Sequence, residues 1–179
     1  VILANEYFDV LPIHQVVKRE TGWHERVVDL DTEGKLVFSA GADPLPRFDV
    51  LLPPLVRAAP VGAVFEWRPD IEMMKIAARV RDQGGAALII DYGHLRSDAG
   101  DTFQAIARHS FTDPLKNPGQ ADVTAHVDFQ SLARAAEDAG ARIHGPVTQG
   151  EFLKRLGIET GAVTLMGKTT PEVSGDISS

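Results

Sequence analysis

An α/β sandwich on a mostly parallel sheet, with one β-hairpin inserted, is the fold class this sequence predicts, and three observations predict it. Two short apolar runs, at Val1–Ala4 and Ala86–Ile90, each break into acids and aromatics, as buried parallel strands do where they open into a ligand crevice. Segments of helical period lie between and after them, in the order strand, helix, strand, helix, strand. Around Asp31-Thr32-Glu33-Gly34 two β-rich segments instead flank a polar turn ending in glycine, which is the mark of a hairpin.

The first run ends on Asn5 and leads into Glu6 and Asp9, with Tyr7 and Phe8 set between the acids. After Pro12, WHERVVDL and KLVFS form the hairpin, an insertion at about 23–40. Residues 41–62 hold Pro44, Pro46, Pro53, Pro54 and Pro60, so an irregular connection is expected there, with at most a helical turn over Phe48–Leu52. Ala63–Glu66 reads as a short strand. Asp70–Gln83 carries Met73, Ile76, Ala77 and Val80 at helical spacing, acids in its first turn, arginines in its last, and Gly84-Gly85 as its stop.

The second run, Ala86–Ile90, breaks at Asp91-Tyr92-Gly93-His94 and so repeats the pattern of the first; two strands ending alike imply one shared crevice. A helix is expected over about Asp101–His109, with Phe103, Ile106 and Ala107 on one side. A loop with Pro114, Asn117, Pro118 and Gly119 follows, and ADVTAHVDF leads into a helix whose apolar face is Phe129, Leu132, Ala133 and Ala136, ending before Gly140. ARIHGPVTQ reads as a late strand and GEFLKRLG as a short helix. From Thr169 to Ser179 the composition turns to Ser, Thr, Gly and acids, so a flexible or truncated end is expected at 169–179, and 1–168 is expected to be a partial domain.

Bulk properties narrow the function. The 179 residues suffice for one domain; 44% hydrophobic with 24% charged is ordinary for a globular protein, and no apolar stretch approaches the ~20 residues of a spanning helix. A formal charge of -7 argues against a nucleic-acid groove, and the absence of cysteine excludes disulfides, thiolate metal sites and a cysteine nucleophile. Starting on Val1 within a strand pattern, the chain is expected to be a fragment whose N-terminus lies upstream.

Each candidate residue has two readings. Asn5, Glu6 and Asp9 either hold a ligand at the strand end or serve as a cap and solvated acids. Asp91, Tyr92, Gly93 and His94 either line the neighbouring strand end, with Gly93 admitting close approach, or form an ordinary strand-to-helix turn. Asp128 reads first as a helix N-cap, and His126 as a proton carrier or a core histidine. His94, His109 and His126 lack metal-motif spacing, so no metal is expected. No Gly-x-Ser-x-Gly elbow, P-loop or dinucleotide fingerprint occurs.

The blocks ANEYFDVLP, LIIDYGH, GDTFQAIARH, DPLKNPGQADVTAHVDF and GPVTQGEFLKRLGI, in that order over Val1 to about Ile158, closely resemble the MidA-like methyltransferases. The resemblance implies a Rossmann-like S-adenosylmethionine-dependent methyltransferase sandwich, of which this chain supplies the C-terminal portion, truncated at both ends. It implies S-adenosyl-L-methionine as cofactor, most of whose site, including the Gly-rich loop and the ribose-binding acid, lies outside this chain. It places Asn5, Glu6, Asp91, Tyr92 and Gly93 at the methyl donor and His94 and His126 on the substrate side. For the reaction it implies Glu6 as the first catalytic carboxylate, with Asp9 or Asp128 second. The activity implied is protein arginine N-methylation of a respiratory complex I subunit or a similar protein, in the mitochondrial matrix or a bacterial cytoplasm, without nucleic acid or membrane. The rival expectations are a non-catalytic assembly or scaffolding module of the same family, binding through the 41–62 loop and the hairpin, and a methyltransferase of small molecules.

Overall fold

The computed structural model of the protein, which describes residues 1–166, makes the two apolar runs parallel neighbours in register, Ile2 against Ala87 through Asn5 against Ile90. In chain order the strands are β1 (Ile2–Asn5), β2 (His14–Arg19), β3 (Gly22–Leu30), β4 (Leu36–Pro44), β5 (Val64–Trp67), β6 (Ala87–Ile90), β7 (Gly93–His94), β8 (Gln104–Ala107), β9 (Ser110–Thr112), β10 (Asp122–Thr124) and β11 (Val127–Asp128). The helices are α1 (Phe48–Leu51), α2 (Pro54–Arg57), α3 (Ile71–Gln83), α4 (Phe129–Asp138), α5 (Gln149–Arg155) and α6 (Ile158–Met166). The chain divides into two units, Val1–Ile143 and a second beginning at His144.

In the first unit α3 forms where Met73, Ile76 and Ala77 recur on one face, and it stops at Gly84, whose φ of 73° suits glycine. It packs on α4, and small residues permit the approach: Ala77, Ala135, Ala136 and Ala139 are buried together with Ala4, Phe8, Met73 and Val127. Arg81 of α3 donates to the Ala139 carbonyl at 2.6 Å, so one helix closes the C-terminal end of the other. Its Cδ also lies 2.9 Å from where a Cβ on Gly140 would stand, and Gly140 has φ 87°.

A second core forms under the antiparallel sheet β4-β3-β2-β5, from Val16, Trp23, Leu52, Val56 and Phe65. The proline-rich connection covers it as α1 and α2, with Pro54 at the first position of α2, where a missing N–H costs nothing. Lys18 closes the far end of α2 by donating to the carbonyls of Arg57 and Ala59 at 2.8 and 2.7 Å. In the second unit, Thr148 caps α5 by accepting from the Glu151 N–H at 3.2 Å, and Gly157, at φ 84°, separates α5 from α6.

Four expectations are corrected. Parallel pairing among the described residues is confined to β1–β6 and the two-residue β7–β11 pair, so the sheet is not mostly parallel. The hairpin forms as expected, β3 against β4, while the strand at 64–67 joins it through β2 in an antiparallel four-stranded sheet instead of extending the parallel pair. The segment expected as a helix over Asp101–His109 is the hairpin β8–β9. Arg108 and His109 both adopt left-handed backbone, φ 52° and 62°, making the two-residue turn that suits a twisted hairpin. The late strand expected in ARIHGPVTQ is irregular, since Gly145 has φ 100° and Pro146 has no N–H to give to a ladder. The 169–179 segment lies outside the described residues.

The β7–β11 pair has one strict requirement. A Cβ on Gly93 would lie 2.0 Å from the Val127 carbonyl oxygen, its register partner. Gly93→Ala should therefore destabilise the full-length protein by about 3 kcal/mol or more. Gly100→Ala, which would meet only the Thr102 methyl at 3.8 Å, should change stability by less than about 1 kcal/mol. Urea unfolding of both variants checks this, and equal effects would refute the close-approach argument.

Candidate functional site

Four backbone N–H groups at the ends of β1 and β6 have no strand to bond, and one carboxylate takes them all. Asp91 Oδ2 accepts from the N–H of Phe8 at 2.9 Å, of Tyr7 at 3.2 Å and of Asp9 at 3.4 Å, while Oδ1 accepts from Tyr92 at 3.0 Å. The polar residue after each apolar run thus has a division of labour. Asp91 folds the first loop, and Glu6, the residue that loop must turn on, is held with φ 46°. A left-handed glutamate is uncommon and costs energy, and such residues gather at functional sites.

The turn leaves Asn5, Glu6 and Tyr92 exposed at the strand ends, with Tyr92 Oη donating to Glu6 Oε1 at 3.3 Å. The Glu6 charge beside it raises the tyrosine pKa. Exposed acid, amide and phenol at the carboxyl ends of parallel strands suit a polar, cation-bearing ligand, and Asn5, Glu6 and Tyr92 present them.

Asp9 is different. Only 5% exposed, it keeps Oδ1 buried without a partner among the described residues. Burial, then the nearby Asp91 charge, push its pKa up. Arg68 does not neutralise it through its guanidinium, whose N–H groups go to the carbonyls of Asp9 (3.0 Å), His126 (2.7 Å), Ala125 and Leu11 (3.4 Å). Burial lowers the Arg68 pKa, while Glu66, Asp91 and Asp9 oppose that.

Three further residues singled out in the sequence, His94, His126 and Asp128, line a neighbouring cavity of about 230 Å³, bounded also by Phe8, Phe48, Trp67 and Asp70, and His109 stands apart in the β8–β9 turn. His94 and Asp128 are register partners there, and His126 donates its N–H to Thr102 Oγ1 at 2.9 Å. Asp128 caps α4, accepting from the Ser131 N–H at 3.1 Å and from the Ser97 hydroxyl. Gly93 serves the approach of backbone to backbone. Among the described residues no three His, Asp or Glu converge as metal ligands, and no helix is long and apolar enough to cross a membrane.

Sequence reasoning missed Arg68, Asp70, Ser97 and Ser131. The one local signal was Trp67-Arg68-Pro69-Asp70 between a strand and a helix, where a charged residue beside a proline joins two elements.

A family model described as a putative S-adenosyl-L-methionine-dependent methyltransferase matches residues 1–147. The chain is 37% identical over 179 residues to "Protein arginine methyltransferase NDUFAF7, mitochondrial" of Danio rerio, covering 99% of this chain and 42% of the relative. The Homo sapiens protein of the same name is 36% identical over 173 residues, 93% of this chain and 37% of that one. Among solved structures, a Burkholderia thailandensis protein bound to S-adenosyl-homocysteine superposes with a TM-score of 0.76 at 29% identity, over 98% of this chain and 46% of that chain. An uncharacterised protein of the same organism gives 0.77 at 30% identity. Both are similar to this chain in their mixed α/β fold. The chain spans about two fifths of the length of the curated relatives it matches.

Asp91→Asn replaces one acceptor oxygen with a donor. It should cost about 1–3 kcal/mol and speed amide exchange at Tyr7, Phe8 and Asp9 in the full-length protein; unchanged protection there would remove Asp91 as the clamp. Asp9, with its folded pKa above its unfolded one, stabilises the fold fully below the unfolded value and loses that contribution as pH rises through the folded one. Asp9→Asn should thus gain stability relative to the parent as pH rises above the unfolded value of about 3.9, read by urea unfolding at each pH; a constant difference would contradict the burial argument.

Proposed function

Since the chain belongs to the family of S-adenosyl-L-methionine-dependent methyltransferases, we propose that the protein methylates the guanidinium of an arginine in a protein substrate. The observation that carries this is the Glu6 carboxylate, held exposed on left-handed backbone where two parallel strands end, with Tyr92 donating to it. Support for the arginine comes from the curated relatives, named protein arginine methyltransferases, and for the donor from the neighbour bound to S-adenosyl-homocysteine. The β1–β6 pair with its crossover helix α3 is the part of a Rossmann-like sheet that would border the donor.

The bound donor supplies a methyl group on a positively charged sulfur. An arginine keeps its proton throughout the physiological range, so its nitrogen is a poor nucleophile until a carboxylate orients it and draws positive charge onto the other nitrogens. Glu6 does this, with the Tyr92 hydroxyl fixing its rotamer. Transfer would form one N–C bond as the donor's S–CH3 bond breaks, leaving a neutral thioether, and would release one proton, for which Glu6 is the path to solvent. Asp9, three residues on and within electrostatic reach, is the second acid; Asp128 acts indirectly, since both its oxygens hold the start of α4 and Ser97. Asn5 positions the donor beside Glu6, and Asp91 shapes the loop they share. The substrate is a respiratory complex I subunit or a similar protein, in the mitochondrial matrix or a bacterial cytoplasm.

In the full-length protein, Glu6→Gln should lower methyl transfer to arginine about 10²–10⁴-fold, measured as labelled methylarginine after hydrolysis, while donor affinity by calorimetry stays within about twofold. Full activity in the variant removes Glu6 from the reaction.

A further inference from the structure

Resting on the reading of arginine methylation, we propose that the cavity walled by Phe48 and Trp67 receives the substrate arginine side chain, and that Asp70 is the carboxylate that selects its guanidinium.

Size comes first. At about 230 Å³ the cavity falls below the ~300–1,000 Å³ of small-molecule sites and suits one long side chain. Its wall is aromatic: Phe48, Phe65 and Trp67 line it, the Phe48 and Trp67 rings packed 5.2 Å apart and tilted by 44°, Phe65 6.1 Å from Trp67, and His14 stacked on Trp67 at 5.2 Å, so the ring edges and the Phe48 face are what a flat cation meets. A guanidinium, planar and weakly hydrated, binds such faces better than an ammonium does.

The charged groups around the cavity then single out one residue. Glu66 is consumed, accepting from the N–H groups of Thr102 and Phe103 at 3.0 and 3.1 Å and from the Thr102 hydroxyl and Gln15. Asp128 is consumed by Ser131 and Ser97, and Arg68 by four carbonyls. Asp98 is exposed and accepts from the Ala99 N–H, and Arg134 is exposed, where solvent screens both. Asp70 stands at the N-cap of α3 yet makes no cap bond. It is turned instead toward α4, where Ser131 Oγ donates to Oδ1 at 3.3 Å. A capping residue that forgoes its own helix leaves a half-buried carboxylate facing the cavity.

The cavity also adjoins the strand-end crevice. Phe8 lines it while its N–H is held by Asp91, and Val127 lines it while its N–H bonds the Tyr92 carbonyl at 2.8 Å. Phe8 and Val127 are thus shared between the cavity and the loops that carry Glu6 and Tyr92, although neither Glu6 nor Tyr92 lines the cavity itself.

The test uses the full-length protein with n-propylguanidine as probe and n-propylurea, uncharged and of the same shape, as control. Propylguanidine should bind by calorimetry and compete with the protein substrate but not with the donor, and propylurea should do neither. Asp70→Asn and, separately, Phe48→Leu should weaken propylguanidine binding and raise the substrate KM by about tenfold each with donor affinity unchanged. Rescue by Asp70→Glu would separate recognition from folding. Propylguanidine binding that both variants leave unaltered overturns the cavity assignment, even if methylarginine is formed. Absence of methylarginine from the wild-type protein overturns the arginine reading instead, whatever the probe binds.

Discussion

Everything at the strand ends depends on the Asp91 carboxylate. When a parallel pair stops, the backbone beyond it leaves N–H groups pointing into the protein, and each is costly unless bonded. One ionised side chain answers for Tyr7, Phe8, Asp9 and Tyr92 together, and bonds to a charged acceptor each contribute more than neutral ones, about 1.5–3 kcal/mol. That offsets the ~1–3 kcal/mol of holding Glu6 in left-handed backbone. The same bonds press Phe8 into the core beside Ala77 and Val127 and turn Asp9 inward. Fold and candidate chemistry are thus set by one residue that itself need not touch a ligand.

Two further side chains fasten the rest of the first unit by the same logic. Glu66, on β5, collects the N–H groups that begin the β8 segment, and Arg68, two residues on, collects four carbonyls from the loops around Asp9 and His126. Each is a charge partly removed from water, a configuration that is favourable only when its hydrogen-bonding capacity is filled. Arg68 is filled by backbone alone, and Glu66 by two backbone N–H groups together with the Thr102 hydroxyl and Gln15, so both serve the path of the chain, while Asp70 and Glu6 stay open to a cation.

This explains which parts were legible in the sequence. The β1 and β6 runs, α3 and α4 declare themselves by local apolar pattern, and the acids after each run mark the crevice. The segment 101–112 does not: Phe103, Ile106 and Ala107 match a helix by spacing, and it is Glu66, far back in the chain, that holds Thr102 and Phe103 extended. Its turn uses Arg108 and His109 in left-handed backbone, with no glycine or asparagine to announce it. The strand β2 exists because β3 and β5 flank it, and ARIHGPVTQ, β-branched enough to suggest a strand, is stopped by Gly145 and Pro146. Within the candidate site, Glu6, Tyr92 and Asp128 were visible as residue types at element ends. The commitments of Asp91, Arg68 and Glu66 were not, because each is made to backbone remote in sequence.

The contrast between Glu6 and Asp9 follows from the same clamp. Three residues apart, one carboxyl stands in water beside a tyrosine hydroxyl, and the other is buried with an unpartnered oxygen and a raised pKa. Chemistry on a guanidinium begins with a cation in a site of acids and ends by shedding a proton, so it gains from carboxyls whose surroundings differ. An exposed acid can meet the cation without losing much hydration. A buried one is poor at holding its own charge but gains strongly when a cation approaches, because the low dielectric that penalised it alone strengthens the attraction. Asp91 creates that difference by turning a single loop so that Glu6 faces out and Asp9 faces in.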